Sequence, residues 1–180
     1  MISLDVANEE ADSFLGALSN FCERAEIAGS IRRKRPYVHD IDLVVIPRFI
    51  ERESYLLFST GELVSLLEEK LTEMEKSSYI SLLANGDRMK RVLLRTADIP
   101  IDLYIATPEN WSTLLLIRTG SREHNIYMCS LAKRLGMQLK ADGSGLFRDG
   151  EIIAGNSEES IFQALGLNYI DPKAREIVNQ

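Results

Sequence analysis

Apolar positions along this chain recur with two periods, and the switches between them outline its elements. Over residues 6–22, Ala11, Phe14, Leu15, Leu18 and Phe21 fall at helical spacing behind an acidic first turn, which predicts a helix bracing a sheet. Ala25-Glu26-Ile27-Ala28 reads as a strand running into the small-residue turn Gly29-Ser30, and a second strand over 40–46 is closed by Pro47. Leu63, Leu66, Leu67 and Leu71 mark a helix over 62–74 with a charged outer face. Segments 79–84 and 89–95 flank Asn85-Gly86-Asp87, a hairpin signal, and 99–105 is the next strand, with Ile101, Leu103 and Ile105 inward.

Pro108 and Glu109-Asn110 interrupt the periodic pattern and predict a hinge into a second lobe. Helices are expected over 111–117 and 122–135, the latter stopped by Gly136, with short strands over 137–140 and 146–153 around a turn at 141–145. Asn156-Ser157 can cap a last helix, with Glu158 and Glu159 in its first turn and Gly166 ending it. The expected class is α+β: a mixed β-sheet with helices over 1–107, then a small α/β lobe over 108–180. There is no internal repeat or low-complexity tail.

Composition narrows the picture slightly. An apolar fraction of 45% and a charged fraction of 27% over 180 residues are those of a soluble globular protein of one domain or two small lobes. The longest apolar runs are too short to span a membrane and Met1-Ile2-Ser3-Leu4-Asp5 lacks a basic leader, so a cytoplasmic protein without membrane contact is expected. Cys22, Cys129, His39 and His124 make no zinc pattern, and both thiols read as core fillers or surface thiols. The net charge of -6 is awkward for binding nucleic acid. Basic residues cluster, however, at Arg32-Arg33-Lys34-Arg35, at Arg88, Lys90, Arg91 and Arg95, and at Arg118, Arg122, Lys133 and Arg134. These are either a basic cleft on an acidic body or ordinary solvated faces.

The chemistry concentrates in Asp40-Ile41-Asp42. In a strand, Asp40 and Asp42 share one face while Ile41, Leu43 and Val45 share the other. Taken alone, such a pair also suits a solvated strand edge. Close carboxylates repel unless a cation sits between them, and hard oxygen ligands on a strand suit Mg²⁺ or Mn²⁺. Asp102, on the outward face of the 99–105 strand, is the candidate third ligand of a two-metal phosphoryl-transfer site. Upstream, Gly29-Ser30-Ile31-Arg32-Arg33 offers a hydroxyl, backbone N–H groups and guanidinium groups, which is what phosphate oxygens require.

Gly29-Ser30-Ile31-Arg32-Arg33 followed by Asp40-Ile41-Asp42-Leu43-Val44 resembles the G-S-x-R-R... D-[IM]-D-[LV] signature of the family X DNA polymerases. Thr119-Gly120-Ser121 with Asn125 resembles the T-G-[SP]-x-x-x-N segment that opens the thumb of that family. Gly145-Leu146-Phe147-Arg148-Asp149-Gly150, Glu158-Glu159 and Ala164-Leu165-Gly166-Leu167-Asn168-Tyr169-Ile170 look like a run of its bacterial-type members. The resemblance spans about residues 27–175. It implies a nucleotidyltransferase-type palm over 1–107, a thumb over 108–180, and addition of dNTPs to a DNA 3′ end with release of pyrophosphate, in gap filling or repair. By the same resemblance Asp40, Asp42 and Asp102 would hold two Mg²⁺ ions, with Mn²⁺ as a substitute. Gly29, Ser30, Arg33, Thr119, Gly120 and Asn125 would contact the nucleotide, Thr119-Gly120-Ser121 also being a possible helix N-cap. The implied partners are primer-template or gapped DNA and dNTP, with the protein a monomer.

Departures from the family pattern carry their own expectations. Ile117-Arg118 stand where DNA polymerase beta has a Tyr-Phe pair before T-G, so discrimination against ribonucleotides should be weaker. Cys129 replaces an arginine facing the template, Pro100 replaces an arginine beside the third aspartate, and His39 precedes Asp40 where glycine is usual. Only 28 residues precede Gly29, with neither a lyase nucleophile nor a helix-hairpin-helix among them, which reads as a minimal palm plus thumb. The competing readings are a template-independent nucleotidyltransferase, which shares the G-S and D-x-D core, and an inactive nucleic-acid-binding module.

Overall fold

The computed structural model describes residues 1–52 and 61–176. In chain order the elements are β1 (Ile2–Ser3), α1 (Leu4–Leu18), β2 (Cys22–Ile27), α2 (Gly29–Arg32), β3 (Tyr37–Val38), β4 (Ile41–Pro47), β5 (Phe49–Arg52), β6 (Glu62–Ser65) and α3 (Leu66–Lys76). There follow β7 (Ile80–Asn85), β8 (Met89–Leu94), β9 (Ile99–Ile105), α4 (Trp111–Thr119), α5 (Arg122–Arg134), β10 (Gln138–Leu139), β11 (Leu146–Arg148), β12 (Glu151–Ala154), α6 (Glu158–Ala164) and a 3₁₀ turn at Pro172–Ala174.

The α+β class holds. A five-stranded mixed sheet runs in the order β2-β4-β9-β8-β7, and β10-β11-β12 form a small separate sheet. Only β4 and β9 pair in parallel in the large sheet; the rest is antiparallel. Strand β4 is covered on both faces, which is why 43–46 is continuously apolar rather than alternating. Ile41, Leu43 and Val45, with Ile101, Leu103, Val92 and Leu94 of the neighbouring strands, pack with Ala7, Ala11, Phe14 and Leu18 of α1 and with Leu67, Leu71 and Met74 of α3. Val44 and Ile46 face the other way, against Trp111, Leu114 and Leu115 of α4. Asp42 and Asp102 share this second face; Asp42 lines a cavity there, while Asp102 is buried beside it.

Side-chain caps set the helix starts. Ser3, Ser65, Ser121 and Ser157 accept from the backbone N–H groups of Val6, Glu68, His124 and Ser160. The cap at Ser65 corrects the helix expected over 62–74. Residues Glu62–Ser65 pair with Phe49–Arg52 as a hairpin arm, leaving Leu63 exposed, and the helix runs from Leu66 to Lys76. Segment 146–153 is likewise two strands, because Asp149 and Gly150 both have positive φ and turn the chain between them.

A third apolar cluster joins Leu116, Ile117, Met128, Leu139, Leu146, Ile161 and Phe162 under the small sheet. Charged groups tie this region to α2. Arg32 donates to Glu158 Oε1 at 2.5 Å and to the Thr119 hydroxyl at 2.7 Å, while the fully buried Arg175 donates to Glu158 Oε2 at 2.7 Å. Burial alone would push Glu158 up, but the hydrogen bonds and charges of Arg175 and Arg32 hold its carboxyl below the ordinary range. Removing one member of such a buried group leaves an uncompensated charge and costs about 3–5 kcal/mol.

Candidate active site

The parallel register of β4 and β9 places Asp42 directly beside Asp102, with Ile41 beside Ile101 and Leu43 beside Leu103. Adjacent strands lie about 4.8 Å apart, so two carboxylates of the same face meet there without any loop to position them. Asp40 lies in the bend just before β4 rather than within it, yet its charge still reaches both partners. Burial pushes the Asp42 carboxyl up to about 6, with the charges of Asp40 and Asp102 adding to the effect. Asp102 is also raised, first by burial and then by Asp40, against the lowering influence of Arg91. The three aspartates are thus held together at an electrostatic cost.

Two residues on neighbouring positions respond to that cost. Tyr104, two residues beyond Asp102 on the same face, donates its hydroxyl to Asp102 Oδ2 at 3.4 Å, and the Arg118 guanidinium stacks 4.3 Å from the centre of its ring. Arg91, opposite Asp102 on β8, brings Nε to 3.2 Å from Asp102 Oδ1 and a terminal nitrogen to 3.5 Å from Asp40 Oδ2. Its N–H is not aligned with Oδ1, which remains a buried oxygen without a hydrogen bond. Among the described residues no three metal-ligating side chains already converge on one point, and a guanidinium reaches two of these carboxylates. An orphaned buried carboxylate oxygen beside two further aspartates is nevertheless a donor set suited to a hard divalent cation.

A cavity of about 800 Å³ opens beside this cluster. Gly29, Ser30, Arg33, Asp40, Asp42, Gly120 and Asn125 all line it, so most of the expected site residues share one space. The turn at Gly29-Ser30 is the short helix α2, and Gly29 adopts φ +54°, a region costly for other residues. Arg33 is drawn inward, donating to the Thr119 carbonyl and to Glu176. Thr119 itself does not line the cavity: it is fully buried, its hydroxyl donating to the Leu115 carbonyl and accepting from Arg32. Asn125 turns its amide toward the Ile117 carbonyl at 2.7 Å. The cap function in this segment belongs to Ser121. His39 is exposed at the cavity rim, and Cys129 also lines the cavity, half-buried.

The basic clusters divide between the fold and the cavity. Lys90 is almost fully buried and bonded to Asn85 and Glu68, and Arg32 is committed to Glu158, so both belong to the fold. Arg118 and Arg122 do line the cavity. Tyr104 and the Glu158-Arg175 pair were not singled out in the sequence for these roles. Tyr104 could have been found from its two-residue offset to Asp102, whereas Glu158 and Arg175 are a long-range pairing with no local signal.

The sequence is similar to known proteins over most of its length. Residues 114–176 match the family described as DNA polymerase beta thumb. The chain is 31% identical over 150 residues to a DNA polymerase/3′-5′ exonuclease PolX of Bacillus subtilis, covering 83% of this chain and 24% of that protein. It is 28% identical over 175 residues to a DNA polymerase IV of Saccharomyces cerevisiae, covering 91% of this chain and 28% of that protein. The chain therefore spans about a quarter of the length of these curated relatives.

Proposed function

The chain belongs to the family X DNA polymerases, and from that premise we propose that it is a metal-dependent, DNA-directed nucleotidyltransferase that extends a DNA 3′ end with dNTPs in gap filling or repair. The observation that carries the reading is the side-by-side placement of Asp42 and Asp102 on parallel strands, with Asp40 close by, at the edge of a cavity that Ser30 and Arg33 also line. In this reading residues 1–107 are the palm and 108–180 the thumb.

Asp40, Asp42 and Asp102 would hold two divalent ions, Mg²⁺ or Mn²⁺. When bound, such ions supply the Lewis-acid charge that favours an ionised 3′-hydroxyl and neutralises departing pyrophosphate. The protein's own contribution is placement. Ser30 and Arg33 offer a hydroxyl and a guanidinium to the triphosphate tail, and Gly29 leaves the room that a side chain would fill. Thr119 acts from behind, its carbonyl holding Arg33. Gly120, Asn125, Ile117 and Arg118 line the same cavity from the α4–α5 side and would meet sugar and base.

Primer extension on gapped, recessed and blunt DNA tests this. Templated incorporation that needs a divalent ion is expected, lost in Asp42→Ala and Asp102→Ala with both variants still folded by circular dichroism. Extension of blunt or unpaired ends alone would instead indicate template-independent transfer. DNA binding without incorporation would indicate a binding module.

A further inference from the structure

Arg91 is the one guanidinium found across two of the three site carboxylates among the described residues. It arrives there by register: β8 pairs antiparallel with β9, and Arg91 stands opposite Asp102. Its side chain is 39% exposed, and both of its ion pairs run to Asp40 and Asp102. Contrast Lys90, the preceding residue, which points to the other face of the strand and is buried against Asn85 and Glu68. Lys90 is built in; Arg91 reaches the carboxylates with its side chain still partly exposed.

Two carboxylates that lack a bound cation repel each other, and any positive group that can reach them lowers that cost. Arg91 does so without filling their hydrogen-bonding capacity, since Asp102 Oδ1 has no aligned donor. A half-exposed guanidinium on a flexible stem can withdraw into water at small cost, because partly exposed ion pairs contribute little. A divalent ion approaching Asp40 and Asp102 would meet a positive charge already in place.

Building on the assignment of the three aspartates as metal ligands, we propose that Arg91 is a displaceable counter-cation. It neutralises Asp40 and Asp102 while no divalent ion is bound, and it withdraws when one binds, so that it sets the metal affinity of the site. The consequence has a definite sign. Removing Arg91 makes the metal-free protein less stable and the metal-bound protein easier to reach, so divalent ions bind more tightly and stabilise the fold more. An arginine that merely oriented Asp102 for the metal would act in the opposite direction.

The test is Mn²⁺ titration without nucleotide or DNA, followed by electron paramagnetic resonance of free Mn²⁺, on wild type, Arg91→Leu, Arg91→Gln and Arg91→Lys. The Leu and Gln variants should each bind Mn²⁺ about three- to tenfold more tightly, the scale of two partly exposed ion pairs. Their Tm should fall without metal and recover more than wild type does with it. Arg91→Lys, which keeps the charge, should stay near wild type; the Gln variant serves if the Leu variant proves insoluble. Unchanged or weaker binding in both neutral variants overturns the counter-cation role and leaves the metal site standing. Mn²⁺ binding that Asp102→Asn does not weaken, or no binding in any protein, overturns the metal assignment itself and the proposal with it.

Discussion

Gly29 and Asp42 are in direct contact: a Cβ built on Gly29 would lie 1.8 Å from Asp42 Oδ2, inside any permissible separation. The glycine opening the G-S turn and the middle carboxylate of the cluster therefore define each other's position. Gly29 also has φ +54°, so a side chain there is penalised twice.

Gly29→Ala should consequently lose nucleotide incorporation and destabilise the protein by about 1–3 kcal/mol, the range for backbone strain of this kind. Urea unfolding gives the second quantity and single-nucleotide gap filling the first. Wild-type values for both would mean that Asp42 can move aside freely, and the close packing of turn against carboxylate would then have no role.

A second expectation concerns pH. The Asp42 carboxyl is raised to about 6 by burial and by its neighbours, so its ionisation opposes folding: without metal, stability falls as pH rises from about 4 through 6. His124 pulls the other way. Burial and the Arg175 charge lower it to about 4, so it folds neutral, and its contribution is complete above about 6.5 and lost as pH falls toward 4. The two slopes run in opposite directions in the wild-type protein, with the raised Asp102 acting in the same sense as Asp42. Asp42→Asn removes one of them, and in the absence of metal it should be more stable than wild type at pH 7 by on the order of 2 kcal/mol. It should then lose stability steadily on acidification. Urea unfolding of both proteins in chelator at pH 4, 5.5 and 7 decides it; a destabilised Asp42→Asn at pH 7 would contradict the electrostatic cost assigned to this cluster.

Much of this was legible in the residues because it is local. Period-two alternation puts Asp42 and Asp102 on the faces opposite Ile41, Leu43, Ile101 and Leu103, a face that α4 partly covers rather than an outward one. Asn85-Gly86-Asp87 marks the β7–β8 hairpin, whose turn is closed by the Gly86 amide on the Met89 carbonyl. The boundary of α3 was misplaced because Leu63 and Leu66 fit a helical stripe by spacing alone, while the Ser65 cap that ends the strand was in the sequence to be read. What could not be read is tertiary. That β4 and β9 run parallel and in register decides that Asp42 meets Asp102, and a strand's sequence does not name its partner. Arg91 belongs to a basic cluster that reads as either part of a basic cleft or an ordinary solvated face; only the β8–β9 register directs it to the carboxylates. Glu158 reads as a first-turn residue of the last helix, and its buried pairing with Arg175 and Arg32 has no local signal.

The last prediction concerns the sugar. In the resembling polymerases an aromatic pair precedes T-G, and here the cavity wall at that place is Ile117 and Arg118. Arg118 does not fill the space as an aromatic ring would: it stacks on Tyr104, and its Nε is buried without a hydrogen-bond partner. A smaller apolar side chain and a hydrogen-bond donor together impose less steric penalty on a 2′-hydroxyl and offer it a partner. Discrimination is a difference in transition-state binding, so a weakened clash lowers it directly. The ratio of kcat/KM for matched dNTP over rNTP, on one gapped substrate with Mg²⁺, should lie below roughly 10³. Replacing Arg118 with Phe should raise that ratio by restoring a ring, and the rise should appear as slower rNTP incorporation rather than faster dNTP incorporation. A wild-type ratio above roughly 10³ would show that something other than these two side chains, such as the backbone at Thr119-Gly120, excludes the ribose.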